Sequence, residues 1–505
     1  MSAAAKNRPF RFLILGGGAA GWMAANLLAR AWPERRIEIT VLEAPDIGII
    51  GVGEGSTPQL KAFFDRLGVD EATWMPACNA TYKNGISFHG WSKAPGCKRY
   101  FHPFPSPLDA HTQPAFFFNS YCRRNGADIE AHPDQFFLSA RLAQDRLAPL
   151  AQETFPFELA YGYHFDAYLV GAFLRDVAKA AGVRHVEAKA TEAALTESGD
   201  VAALRLDNGE MATADFFIDA SGFRSVILQQ ALGERFNSYA ENLFNDAAVA
   251  LPSAPDADSI ASETQAVAMK NGWRWRIPLT NRYGNGYVYA SGYCSADEAE
   301  TELRRELGLL DADVEARHLK MNVGVVERHW VKNCLAVGLS QGFIEPLEAT
   351  ALHLVQATIE GFIEAFEGGR FTPQKRDAFN ADISARFEGV RDYIVCHYRV
   401  NKRTDTAYWR DNAANENLSP TLRGVLEHWF AGGDMREEIA KRDIGKYYTA
   451  MSWNCLLGGY GVYPPAERLS PPGQELKRFD LATINDFIRR CAMNYPDHKE
   501  ALASR

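Results

Sequence analysis

Two side chains, Lys83 and Glu348, have the residue types and settings that catalysis can use. Lys83 stands in residues 80–86 among apolar and aromatic neighbours rather than in a run of charges. A single lysine is usually a solvated surface group, but a buried amine can act as a positioned hydrogen-bond donor or as a nucleophile. Glu348 falls near the start of a predicted helix, where a carboxylate is either a general base or a favourable helix-start charge. Both residues are therefore candidates for chemistry.

A phosphate-binding turn is predicted near the N-terminus. Residues 12–15 form an apolar strand pattern, glycines follow at 16, 18 and 21, and residues 23–29 favour a helix. Here Gly16 permits the sharp turn, Gly18 lets a pyrophosphate approach the backbone, and Gly21 allows close packing of helix on strand. A glycine-rich turn alone can be only a turn. A second strand over residues 37–41 ends near Glu43, where an acid can hydrogen-bond ribose hydroxyls, and this favours a dinucleotide.

A second glycine-rich stretch occupies residues 51–58 and reads GVGEGSTP. Three glycines in five positions exclude a stable helix or a central strand, so the stretch is a loop that exposes its backbone. It either covers a flat ligand, which would make Gly53 and Glu54 ligand contacts, or is a flexible surface loop.

Aromatic residues cluster at residues 100–104 and 116–118, with little helical or strand period. Such density is more often core than ligand pocket, but a pocket wall of this kind would sandwich a flat apolar ring. Residues 272–278 read GWRWRIP, a strand pattern with both tryptophans on one face and both arginines on the other.

Other elements are predicted from turn and strand patterns. Residues 201–206 and 211–218 flank a turn and predict a hairpin that runs into residues 219–222, small residues that suit contact with a nucleotide. Asn285-Gly286 predicts a turn before a strand at residues 287–289. A buried strand at residues 334–338 leads to a helix start whose backbone N–H groups offer an anion site. From residue 373 the pattern is mainly helical, and the part after residue 465 reads as a trailing helix and a loose end.

Composition excludes several classes of function. The 505 residues carry a formal net charge of -9, and no basic stripe indicates nucleic-acid binding. Apolar runs are short and no signal-type segment is present, so neither a membrane span nor export is indicated and a cytoplasmic location is expected. The eight cysteines are scattered without a CxxC pair, which argues against a metal site or a disulfide framework.

The chain resembles the flavin-dependent tryptophan halogenases from its N-terminus to about residue 465. The resemblance lies in five stretches: GGGAAGW at 16–22, GVGEGSTP at 51–58, Tyr82-Lys83, GWRWRIP at 272–278 and EPLEAT at 345–350. GWRWRIP is the most specific, because ordinary flavin hydroxylases lack it. The resemblance implies an α/β fold in which a Rossmann-like FAD-binding domain is built from discontinuous segments. We expect an FAD module with a β-sheet insertion at 1–95 and 160–368, and a mainly helical substrate-binding part at 96–159 and 369–505.

The resemblance also implies an activity. FADH2, delivered by a separate NAD(P)H-dependent flavin reductase, would react with oxygen and chloride or bromide to give hypohalous acid. The acid would reach Lys83, which holds it as a hydrogen-bonded or N-halogenated electrophile, while Glu348 polarises the electrophile or takes the proton from the arene. A homodimer is left open.

The same resemblance implies further site residues. Halide is expected at the backbone amides of Thr350 and Ala351. Cofactor contacts are expected at the glycine turn and at later positions, namely Gly16, Gly18, Ala19, Ala20, Gly21, Glu43, Gly53, Glu54, Ala190, Leu339 and Leu352. Substrate contacts are expected at His102, Phe104, Tyr448 and Trp453.

The sequence departs from the family pattern in two places. Ala349 and Ala351 replace a serine and a glycine of the usual motif, although backbone amides survive such changes. The tyrosine pair that recognises the amino-acid end of tryptophan aligns with Arg436 and Glu437, so an indole or another electron-rich arene is expected rather than free tryptophan. Two alternatives stay open at this point: an FAD monooxygenase that hydroxylates its substrate, and a non-catalytic flavin-binding protein.

Overall fold

The computed structural model describes residues 8–45 and 53–504, so Gly51 and Val52 of the second glycine-rich loop lie outside the described residues. The strands are β1 Phe10–Leu15, β2 Ile37–Glu43, β3 Glu54–Gly55, β4 Thr81–Lys83, β5 Gly85–His89, β6 Arg99–Pro103, β7 Gly162–Phe165, β8 Arg184–Glu187, β9 Ala190–Leu195, β10 Val201–Leu206, β11 Met211–Ala212, β12 Phe216–Asp219, β13 Phe236–Ser238, β14 Ala247–Ser253, β15 Thr264–Ala268, β16 Gly272–Pro278, β17 Tyr283–Tyr289, β18 Arg317–Lys320, β19 Gly324–Val326, β20 Trp330–Val331, β21 Cys334–Ala336 and β22 Gly342–Phe343.

The α-helices are α1 Ala19–Ala31, α2 Gln59–Leu67, α3 Glu71–Ala77, α4 Gln113–Arg124, α5 Leu138–Gln144, α6 Ala167–Ala180, α7 Ala296–Leu307, α8 Ala351–Gly368, α9 Arg376–Arg399, α10 Ala407–Ala414, α11 Pro420–Phe430, α12 Met435–Lys441, α13 Ala450–Gly459, α14 Leu481–Ala492 and α15 His498–Ala503. In the described part of the chain, no helix is long and apolar enough to cross a bilayer.

A six-stranded sheet in the order β20-β21-β12-β1-β2-β8 carries the glycine turn. Its strands pair in parallel except at β20 and β21. Phe12 and Ile14 of β1 pack into one apolar cluster, and Leu13 and Leu15 into another. Burial on both faces explains why β1 is a continuous apolar run. The strands come from well-separated parts of the chain, which confirms the predicted Rossmann-like fold with discontinuous segments.

β12 corrects the predicted hairpin over residues 201–218. β10 pairs with β9 and with the short β11, whereas β12 lies between β1 and β21 in the parallel sheet. All four residues of β12 are buried, so this strand requires cover on both faces rather than one partner in a hairpin. Asp219 faces inward and is fully buried, while residues 220–222 line the cleft described below.

A seven-stranded sheet in the order β18-β14-β17-β16-β15-β5-β6 forms the insertion. Trp273 and Trp275 of β16 are buried on one face, as the strand pattern predicts. The predicted turn at Asn285-Gly286 is wrong, because β17 runs through both residues without a break. A β-carbon on Gly286 would lie 2.0 Å from the Trp275 indole, so the glycine makes room for a ring.

Residues 99–103, which show no clear period in the sequence, form the edge strand β6 paired with β5. Four of these five residues are buried, so the alternation of polar and apolar residues that marks a half-exposed strand is missing. β6 lies within the range 96–159, which was expected to be mainly helical. The domain boundaries themselves remain a prediction.

The segment after residue 465 is packed rather than loose, which corrects that expectation. Ile484, Ile488 and Cys491 place one buried stripe on α14 at helical spacing. On α15, His498 is fully buried; its Nδ1–H donates to the carbonyl of Ile260, and its Nε2 accepts the backbone N–H of Tyr82 at 3.1 Å. The strand β4 is therefore held by the last helix.

Candidate active site

A cleft of about 400 Å³ opens at the carboxyl ends of the parallel strands. All but one of the residues predicted to contact the cofactor line this cleft, and the exception is Gly21. The lining residues are Gly16, Gly18, Ala19, Ala20, Glu43, Gly53, Glu54, Ala190, Leu339 and Leu352. A β-carbon on Gly21 would lie 2.0 Å from the Gly16 carbonyl oxygen, so this glycine packs helix α1 against the turn. This is the position at which doubly wound sheets bind nucleotides.

The turn before α1 has the shape that a pyrophosphate requires. Gly16 has a φ of +119°, and a β-carbon there would lie 2.2 Å from the carbonyl oxygen of Ala220. A β-carbon on Gly17 would collide with the Glu43 carboxylate, whereas one on Gly18 would meet nothing within 4 Å. Gly18 therefore leaves open space over the N-terminus of α1, and the Glu43 carboxylate stands beside that space. These residues fit a dinucleotide.

The rest of the cleft combines apolar walls with charges that the sequence reasoning did not select. Trp273, Trp275 and Ile277 form part of the wall and suit a flat ring system. Lys189, Arg224 and Lys320 also line the cleft, and no spacing in the sequence links them. Burial, together with the nearby charge of Asp166, raises the pKa of Glu54 to about 7.

The turn Pro346–Glu348 precedes α8 and places backbone amides beside the cleft. Ala349 adopts a φ of +55°, which ends the turn, and Thr350 is the N-cap residue with no side-chain cap. The first N–H groups of a helix have no acceptor within the helix, so those of Thr350 and Ala351 are available to an anion. Ala349, Ala351 and Leu352 line the cleft, and Thr350 is buried beside them.

Lys83 is fully buried at the end of β4. Among the described residues nothing accepts a hydrogen bond from its Nζ, which lies 5.6 Å from the centre of the Phe104 ring. Burial lowers the pKa of this amine to about 7, against the opposing charge of Glu348. A lysine in this setting is partly neutral near pH 7, which an unburied lysine is not.

Lys83 is next to the cleft because of a glycine. A β-carbon on Gly55 would lie 3.1 Å from Nζ of Lys83 and 3.2 Å from Oγ1 of Thr264. Gly55 and Thr264 both line the cleft, and Lys83 does not. The amine therefore lies directly behind the part of the cleft wall that Gly55 and Thr264 form.

Glu348 is buried and held by two imidazoles. Its carboxylate accepts hydrogen bonds from Nδ1 of His102 at 2.9 Å and from Nε2 of His397 at 2.9 Å. Burial raises the pKa of the carboxyl, but the charge and hydrogen bonds of His102 and His397 outweigh burial and lower that pKa to about 2. Nδ1 of His397 lies 2.9 Å from the Tyr460 hydroxyl, which donates to it. His397, on α9, was missed because nothing in its local sequence relates it to Glu348.

The predicted substrate residues are only partly brought together. The rings of His102 and Tyr448 are 6.4 Å apart and tilted by 30°, and Tyr448 stacks face to face on Tyr393 at 3.6 Å. Trp453 makes an edge-to-face contact with Tyr393, with the ring centres 5.0 Å apart. Lys83, Phe104, His102 and Glu348 thus form one group, while Tyr448 and Trp453 form an aromatic stack beside it through Tyr393.

In the described part of the chain, no group of three or more His, Cys, Asp or Glu side chains is arranged to hold a metal ion. All eight cysteines are free thiols.

The sequence and the fold are similar to those of known halogenases. The family model described as tryptophan halogenase matches residues 11–472. The tryptophan 6-halogenase SttH of Streptomyces toxytricini is 35% identical in sequence over 98% of each chain. Its crystal structure superposes with a TM-score of 0.84 over 98% of this chain and 100% of that chain. The tryptophan 7-halogenase RebH of Lentzea aerocolonigenes is 35% identical over 97% of this chain and 98% of its own. BrvH, a flavin-dependent halogenase from Brevundimonas sp. BAL3, is 30% identical, with a TM-score of 0.82 over 99% and 100% of the two chains.

Proposed function

The chain belongs to the tryptophan halogenase family, and from this membership we propose that it halogenates an electron-rich arene, such as indole or an indole derivative, at Lys83 beside Glu348. As a member of that family it is an FADH2-dependent halogenase that uses halide and oxygen. The observation that supports the assignment of the site is the buried Lys83 amine, which has no hydrogen-bond partner in the described part of the chain, feels the charge of the ionised Glu348 carboxylate and lies behind the Gly55 wall of the nucleotide cleft.

Formation of the oxidant is proposed to occur in the nucleotide cleft and its use to occur at Lys83. When bound, reduced FAD supplies the electrons that activate oxygen, so that halide is oxidised to hypohalous acid. The amides of Thr350 and Ala351 hold the halide at the cleft wall. The Lys83 amine lies directly behind Gly55 on the cleft wall, and the proposed path of the small oxidant runs past this glycine. A path inside the protein avoids bulk water and protects the oxidant from side reactions.

Lys83 and Glu348 have separate roles in halogenation. With a pKa of about 7, the Lys83 amine can attack the halogen of hypohalous acid, so that an N–halogen bond forms, the oxygen–halogen bond breaks and the hydroxyl leaves with the amine proton as water; alternatively it holds the intact acid by a hydrogen bond. With a pKa of about 2, the Glu348 carboxylate is a weak base and stays ionised. Its charge therefore stabilises positive charge on the amine and on the attacked ring more effectively than it removes a proton.

The substrate is proposed to be a neutral arene rather than free tryptophan. Nζ of Lys83 lies over the ring of Phe104, and the ring of His102 bonds Glu348, while Arg436 is exposed and bonded to Asp434. No amino-acid clamp is formed by Arg436 in this arrangement. A separate flavin reductase is the proposed partner, because the family receives its flavin already reduced.

The test is a coupled incubation of the protein with a flavin reductase, NADH, FAD, bromide and either indole or tryptophan. We expect a bromoindole by mass spectrometry, formed faster than bromotryptophan, and no product from Lys83→Ala. A hydroxylated product would instead support a monooxygenase. Unchanged bromination by Lys83→Ala would refute the proposed site, and bromination of tryptophan at least as fast as indole would refute the proposed substrate class.

A further inference from the structure

A chain of three buried side chains leads from a backbone carbonyl to the cleft beside Lys83. The hydroxyl of Thr81 donates to the carbonyl oxygen of Pro278 at 2.8 Å, and Nδ1 of His164 lies 3.0 Å from the same Thr81 oxygen. Nε2 of His164 lies 3.0 Å from Oγ1 of Thr264. Thr81 and His164 are fully buried, and Thr264 is 7% exposed. The last oxygen of the chain lies on the cleft wall.

The carbonyl of Pro278 fixes the direction of every hydrogen bond in this chain. A carbonyl only accepts, so the Thr81 proton is committed to it and the Thr81 oxygen must accept Nδ1–H from His164. Burial, and next the charge of Lys83, lower the pKa of His164 well below its usual value, so its Nε2 carries no proton. Thr264 must therefore donate its only hydroxyl proton to Nε2. Toward the cleft, Oγ1 of Thr264 can act only as an acceptor.

The strands explain why this oxygen stands beside Lys83. Thr81 and Lys83 lie on one face of β4, and His164 on β7 pairs with both Thr81 and Gly55. A single point, the position of the β-carbon that Gly55 lacks, lies 3.1 Å from Nζ of Lys83 and 3.2 Å from Oγ1 of Thr264. Both atoms therefore face the same side of Gly55, and one small molecule that lies between them, clear of the glycine backbone, would touch both.

We propose that Thr264 is a positioning residue for hypohalous acid: its Oγ1 accepts the O–H of the acid and turns the halogen end toward the amine of Lys83. This inference rests on the proposed function. The acid is a donor at its hydrogen and an electrophile at its halogen, so an acceptor-only oxygen beside an amine binds it in one orientation. A halide or a water molecule is not sorted in this way, because halide has no proton and water has two.

The experiment compares Thr264→Val, which keeps the shape and removes the hydroxyl, with Thr264→Ser, which keeps the hydroxyl. Bromoindole and free hypobromous acid are measured together, the latter with a dione trap in solution. We expect Thr264→Val to form as much total oxidant as the wild type but about tenfold less bromoindole, because one positioning hydrogen bond is lost. Thr264→Ser should restore the wild-type ratio of bromoindole to total oxidant. An unchanged ratio in Thr264→Val, or no rescue by Thr264→Ser, would overturn the proposal.

Two further measurements separate this inference from the proposed function. Thr191→Val, a matched change on the exposed strand β9, should leave the ratio unchanged, and a change there would show that the ratio does not report on Thr264. Nitrogen NMR of histidine-labelled protein should show His164 as the Nδ1–H tautomer, and an Nε2–H signal would overturn the direction of the chain without reference to activity. If the wild type makes oxidant but no haloarene, the proposed function fails first.

Discussion

Gly55→Ala should close the contact between the cleft and Lys83 while leaving the cleft itself intact. The new methyl carbon would lie 3.1 Å from Nζ of Lys83 and 3.2 Å from Oγ1 of Thr264. Non-bonded contacts are most favourable at about 3.5–4.0 Å, so the amine must withdraw by about half an ångström. A misplacement of about 1 Å can cost roughly 100-fold in rate. We therefore expect arene halogenation to fall about tenfold or more.

The assay separates formation of oxidant from its use. FAD binding, followed by flavin fluorescence, and total oxidant, followed with the dione trap, should match the wild type, whereas bromoindole should decrease. Gly292→Ala is the matched control, because a β-carbon on Gly292 meets nothing within 4 Å. If Gly55→Ala brominates indole at the wild-type rate, or loses FAD binding in parallel with bromination, the path through this glycine is refuted.

Three other changes test separate parts of the structure. The ratio of haloarene to total oxidant should rise as the pH is raised through about 7, because the Lys83 ammonium loses its proton there. A ratio that stays constant between about pH 6 and 8 would contradict a role for the neutral amine. Glu348→Gln should lower the pKa of Lys83 further, since the opposing charge is lost, and should reduce bromination at least tenfold with oxidant formation unchanged; equal activity would exclude a role for the charge. Gly286→Ala should destabilise the fold by about 3 kcal/mol or more, because its methyl group would lie 2.0 Å from the Trp275 ring, and a melting curve equal to that of Gly292→Ala would contradict this packing.

Local patterns predicted the nucleotide cleft well because its parts are close in sequence. Gly16, Gly18 and Gly21 serve one turn, and Glu43 ends the next strand of the same sheet. Each requirement, a sharp turn, an open backbone or a close approach, leaves its own mark on residue type. The resemblance to a known family then supplied Lys83 and Glu348, which no spacing connects.

The parts that sequence missed depend on distant contacts. His397 reaches Glu348 across 49 positions, and Thr264 reaches His164 across 100. A buried histidine with two hydrogen bonds looks the same in sequence as any other histidine. Gly286 gave the opposite error. The pair Asn285-Gly286 has the residue types of a turn, but the glycine is required because the indole of Trp275, its direct partner on the neighbouring strand β16, occupies the space of a side chain.

The bond between Tyr82 and His498 joins the amine-bearing strand to an imidazole 416 positions later in the chain. The backbone of β4 pairs with β7, and the Tyr82 N–H donates to this imidazole nitrogen, so the final helix helps to hold the strand that carries the reactive lysine. A mutation that detaches α15 would remove this hydrogen bond and leave β4 held by β7 and by the hydroxyl of Thr81. A displaced Lys83 in such an enzyme would let reduced flavin and oxygen be consumed without halogenation of the arene, and the oxidant would escape into solution.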